Sequence, residues 1–187
     1  FAEIRCLALP HLRAAWLLEH RDVLACLLCS GHVDVQAHLR SLEALFPVLD
    51  ASFTDQVLDQ LFALEQEAVD LSALFDSVVY FLRDALQARI SISALQRLMA
   101  SSSHFFQRLA LELLAASSYR YDELDAFPAL LQASTFADIQ AGAIRLLAKL
   151  PVSAQLRQLP TLVQALWHED RAFREAATKL LTSLIQK

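Results

Sequence analysis

Six apolar residues near the end of the chain, Phe173, Ala176, Ala177, Leu180, Leu181 and Leu184, recur at spacings of three and four, which put them on one face of a 3.6-residue helix. The same series stands 34 residues earlier as Ile139, Gly142, Ala143, Leu146, Leu147 and Leu150, in identical register. A further 33 residues back it reads Phe106, Leu109, Ala110, Leu113 and Leu114. Val35, Leu39, Leu42 and Leu45 offer another copy 71 residues before Phe106, with room for a weaker one around Leu74 to Leu86. The last unit, Leu159 to Leu184, reads as a helical hairpin: a short helix containing Pro160, a polar turn at His168 to Arg171, and a second helix. One such pair cannot bury its apolar face alone, whereas a stack of pairs at this period can.

Only two glycines and 56% hydrophobic residues predict helix throughout rather than a turn-rich β protein. Despite a mean hydropathy of +0.37, the longest apolar runs, such as Val23 to Cys29, fall far short of the ~18 residues of a membrane span. A net charge of −5 with no basic cluster argues against grip on phosphate. With Gly31 and Gly142 alone, neither a dinucleotide-binding fingerprint nor a P-loop can be written.

Taken in order, the helices expected are Ala2 to about Glu19 with Pro10 either kinking it or opening a second, Asp22 to Ser30 ended by a left-handed Gly31, Val35 to Phe46 stopped at Pro47, and Ser52 to Gln66 with a Ser52–Asp55 capping box. Asp70 or Ser72 starts the next, to about Ala88. Ser93 caps Ala94 to Ala100, Ser103 caps His104 to Ala116, and after a linker at Ser117 to Asp122 come Glu123 to Ala133 and Asp138 to Leu150. Pro151 stops the last of these, and Ser153 caps the next helix.

Prolines inside first helices (Pro128, Pro160), an Asp in the turn (Asp34, Asp138, Asp170) and second helices written apolar, basic or polar, x, x, Ala resemble the HEAT family of helical repeats. Arg174 fits that family's basic position, and Gln36, Gln107 and Gln140 depart from it. The resemblance implies an all-α, HEAT/ARM-like α-solenoid of about five antiparallel helix pairs plus a leading helix, one domain over residues 1–187. A start at Phe1 and a last helix without a polar capping repeat suggest a fragment of a longer chain. The architecture brings no catalytic residues with it.

Three chemical constellations have blander readings. Cys26 and Cys29, followed by His32 with Cys6 and His38 nearby in sequence, have incomplete zinc spacing, and both lie in an apolar helix where cysteine packs as a small hydrophobe. His168-Glu169-Asp170 sits where a turn must satisfy the next helix's free N–H groups, with Asp170 as N-cap. Ser101 to Ser103 and Ser117 to Tyr121 could accept phosphate but read as turns. Gly142, inside a helix, implies close helix approach. Trp16 and Trp167 each precede a polar turn, either closing a helix pair or standing exposed as binding anchors.

The resulting expectation is a protein-interaction scaffold, without catalysis, cofactor or metal, that binds a protein partner on the surface of its second helices, alone or as a subunit of a larger complex. Positions between core residues define that face: Arg108, Glu112, Arg145, Glu175, Lys179 and Thr182, with Leu111 and Ile144 as apolar contacts. The alternative, nucleic-acid binding or DNA repair as in the alkylpurine glycosylases of this architecture, would need a basic groove with aromatic residues and an acid. No such grouping appears, nor any marker of a bilin lyase. Three cysteines without a disulfide framework fit a reducing compartment, cytoplasm or nucleus.

Overall fold

The computed structural model describes residues 8–42, 49–67, 69–85, 91–116 and 134–186. Cys6, Pro47, the Ser117 to Asp122 linker and the expected helix from Glu123 to Ala133 with Pro128 lie outside them. All regular structure among the described residues is helical, and none of these helices is long and apolar enough to cross a membrane. The chain divides into two compact units, Phe1–Ala94 and Leu95–Lys187.

In the first unit, Pro10 falls in a 3₁₀ turn at Leu9–His11, where its missing N–H costs nothing, and the α-helix begins afresh as α1, Ala14–Glu19. Next come α2 (Arg21–Leu28), α3 (Val33–Ser41), α4 (Ala51–Gln66), and a 3₁₀ turn (Ser72–Leu74) leading into α5 (Phe75–Val79), which continues as π-helix over Tyr80–Ala85. Leu17, Leu24, Leu28, Leu39, Phe53, Leu58 and Leu61 form the core, each at most 1% exposed. α2 packs on α4.

The caps differ from the sequence reading. Asp50, not Ser52, caps α4: its carboxylate accepts from Phe53 N–H at 3.1 Å, takes the Ser52 hydroxyl at 2.8 Å and receives Arg21 Nη1 on both oxygens at 3.2 Å. These donors hold the Asp50 carboxyl down at about 2. Likewise Ala94 N–H donates to Ser91 Oγ at 3.0 Å, so the cap precedes Ser93 by two residues. Gly31 is not left-handed, and an added Cβ would meet only Leu74 Cδ2 at 3.5 Å, because α2 already ends at Leu28.

The second unit opens within α6 (Ile92–Ala100) and continues with α7 (His104–Ala116), α8 (Ala137–Leu147), α9 (Val152–Arg157), α10 (Leu159–Ala165) and α11 (Arg171–Ile185). Ser153 lies inside α9, whose N-cap is Pro151. α10 is the expected short helix containing Pro160, which stands in its first turn where a missing N–H costs nothing, and Gln158 both ends α9 and precedes α10. α8 packs against α7 on one side and α11 on the other, and α10 against α11. Phe106, Leu109, Ala110, Leu114, Ile139, Ala143 and Ala177 are at most 1% exposed, the face that the periodicity implied.

A second periodic feature underlies these contacts. Gln107 Nε2 donates to Ser101 O at 2.7 Å, Gln140 Nε2 to Ser134 O at 2.8 Å and Arg174 Nη1 to His168 O at 2.6 Å, each reaching six residues back. In the first unit Gln36 Nε2 reaches Ser30 O at 2.6 Å in the same way. The glutamines that departed from the basic position thus perform the same task as Arg174: a side chain from the first turn of a helix pairs a carbonyl of the preceding turn that lacks a backbone donor. Gln has one capacity that Arg lacks, since its amide oxygen also accepts. Gln107 Oε1 takes the Ser134 hydroxyl at 2.6 Å, which ties α7 to the turn ahead of α8. Beside it His104 Nε2 lies 2.8 Å from Asp138 Oδ2, and the His104 ring meets Phe136 edge-on.

Candidate functional site

The surface of α7, α8 and α11 between the core positions is where the sequence placed a partner, and the tertiary structure sorts its residues. Gly142 fits its expected role: an added Cβ would lie 2.7 Å from Leu111 Cδ1, so the Leu111 side chain seats in the space a glycine leaves on α8. Thirty-three and thirty-four residues further along the sequence, Ile144 and Ala176 hold the places of Leu111 and Gly142 in the apolar pattern and line one cleft. Ile144 is 1% exposed, so it contributes to the base of the surface rather than projecting from it. The last helix carries polar residues where its predecessor is apolar: buried Ala141 and Ile144 of α8 correspond to exposed Glu175 and Thr178 of α11.

The cleft lies between α8 and α11 and has a volume of about 540 Å³, within the roughly 300–1,000 Å³ of ligand clefts. Its floor is Ile144, Ala148, Ala172, Ala176 and Leu180, and its rim is Arg145, Glu175, Lys179 and Ser183. It exists because three facing positions are alanine, so the helix pair meets without filling the groove. Four of the residues singled out from sequence, Ile144, Arg145, Glu175 and Lys179, are brought together here. Arg108, Leu111 and Glu112 belong to α7 and do not line it, and Thr182 is exposed on α11 outside it. The alanine floor gave no signal except its small size at related positions of the repeat.

Charge on the rim is unequal. Glu175 Oε1 accepts from Arg171 Nε at 2.6 Å, and this pair holds the Arg171 guanidinium proton above its ordinary range. Arg145 and Lys179 are exposed and, among the described residues, make no ion pair. A second hollow on the other flank of α11 is lined by Leu166, Arg171, Arg174, Glu175, Thr178 and Lys179 and has no comparable apolar floor.

The other constellations are absorbed by local structure. Asp170 caps α11 by accepting from Phe173 N–H at 2.8 Å, and His168 Nδ1 accepts from Asp170 N–H at 3.1 Å while its ring packs edge-on against Phe173. Trp16 stacks on His20 at 4.1 Å, whereas Trp167 is 79% exposed and closes nothing. Among the described residues no three His, Cys, Asp or Glu side chains converge on one point.

Cys26 is exposed, and Cys29 is buried with Sγ 3.8 Å from Val57 O. Burial, with Cys26 adding to it, pushes the Cys29 thiol up to about 12. In a Cys6→Ser background a thiol reagent at pH 8 should therefore label one site at once and the second only on unfolding; two fast sites would contradict this packing. Because burial favours the neutral thiol, its contribution to stability is complete below the ordinary value of 9.0 and is lost as the pH rises toward 12.

Set against family models, curated proteins and solved structures, the chain has no significant match.

Proposed function

We propose that this chain is a HEAT-like α-solenoid module, built from antiparallel helix pairs, that binds a protein partner on the surface of its second helices and performs no catalysis itself. The observation that supports this reading best is the α8–α11 cleft, apolar at its floor and charged at its rim, the anatomy of a protein-binding surface. The repeated apolar register and the repeated Gln/Arg latch support the solenoid. Mixed charge on the face and a net charge of −5 favour protein over nucleic acid as the partner. Free thiols at Cys26 and Cys29 fit a cytoplasmic or nuclear setting.

The test is site-directed photo-crosslinking in cells, with the crosslinker at Ala172 on the cleft and, as control, at Gln164 on the exposed side of α10. A discrete protein adduct is expected at Ala172 and is expected to disappear in an Arg145→Glu/Lys179→Glu variant of unchanged helicity and melting temperature. Equal adducts at both positions, or duplex DNA binding at near-physiological salt, would show the wrong face or the wrong class.

A further inference from the structure

From the charge and spacing of the cleft, and resting on the protein-binding reading above, we infer that the α8–α11 groove takes an amphipathic helix with acidic residues at i and i+7 and aliphatic residues at i+3 and i+4. Glu175 is already neutralised by Arg171 at 2.6 Å, which leaves Arg145 on α8 and Lys179 on α11 as the rim charges without an ion-pair partner among the described residues. Both are exposed, so nothing in their surroundings requires a cation. A carboxylate on the occupant would complement each.

Spacing then selects the conformation. Arg145 and Lys179 are 34 residues apart and hold equivalent places on neighbouring helices, whose axes in such packing lie about 8–10 Å apart. One helical rise of seven residues is about 10.5 Å and returns to the same face. Two acidic side chains at i and i+7 of a helix crossing α8 and α11 would therefore meet the two cations. Residues i+3 and i+4 lie midway on that face, directly over the floor of Ile144, Ala148, Ala176 and Leu180. The floor is apolar and formed largely of alanine, so it receives branched aliphatic side chains without a polar group of its own left unpaired. Mode and chemistry agree with helix-in-groove recognition.

The probe is a 16-residue Ala/Gln-based helical peptide with Glu at i and i+7 and Leu at i+3 and i+4, titrated against the full chain by fluorescence anisotropy. A charge-reversed peptide, with Lys in place of both Glu, serves as its comparison. Saturable binding is expected, at least tenfold tighter for the Glu than for the Lys peptide, with that preference inverted in Arg145→Glu/Lys179→Glu and unchanged in Gln164→Glu on the exposed side of α10. No saturable binding up to millimolar peptide, or equal binding of both peptides, overturns the inference. An adduct at Ala172 that the Glu peptide does not displace would overturn it while leaving the interaction reading intact. Failure of both the adduct and the peptide would remove the two together.

Discussion

Gln107→Ala is expected to lower the unfolding free energy by about 3 kcal/mol, far more than the loss of one surface amide. Gln107 is 3% exposed, and its truncation removes two hydrogen bonds: Ser101 O loses its donor at 2.7 Å, and the Ser134 hydroxyl, 3% exposed, loses its acceptor at 2.6 Å and keeps only the longer contact to Phe136 O at 3.5 Å. Each buried group left unpaired costs roughly 1–3 kcal/mol. Urea unfolding followed by circular dichroism measures the loss. A double-mutant cycle with Ser134→Ala should show the two changes to be non-additive by about 0.5–3 kcal/mol. A cost for Gln107→Ala within about 0.5 kcal/mol of zero, as for an ordinary surface change, would mean that the latch is not formed.

Phe106→Ala, one residue away, tests the other half of the architecture and should cost about 3–5 kcal/mol through lost burial and the cavity left behind. Phe106 is fully buried on the repeated apolar face, at the position held by Ile139 and Phe173 in the next two copies. The two neighbours fail differently. Phe106→Leu should recover most of the loss, because the site asks for apolar volume, whereas Gln107→Leu should recover little, because it asks for a donor and an acceptor. Comparable rescue at both positions would show that residue 107 contributes by volume alone. Hydrogen exchange of the α7 amides would show whether either loss is confined to that helix.

The chain itself made legible whatever local chemistry enforces. Apolar residues at three- and four-residue spacing can be buried together only as one helical face, so α7 was placed to the residue and α11 within one residue at each end, whereas α8 was carried to Leu150 and stops at Leu147. Asp170 was legible as a cap because a short acidic side chain before an apolar run has an N–H within reach, and Gly142 because nothing local recommends glycine there. The caps at Asp50 and Ser91 were each missed by two residues, since several neighbouring serines and aspartates could satisfy the same donors and only the turn's path chooses among them.

Tertiary structure alone decided the rest. Gln36, Gln107 and Gln140 looked like departures from a basic position, and only the approach of the preceding turn shows that an amide meets the same carbonyl that Arg174 does. Ile144 and Thr178 occupy equivalent places in two copies of one pattern, yet one is buried and the other exposed, because burial depends on whether α11 or solvent lies beyond. The groove itself was invisible for the same reason: alanines signal neither burial nor exposure, and a cavity is a property of the space between two helices that no residue on either one specifies.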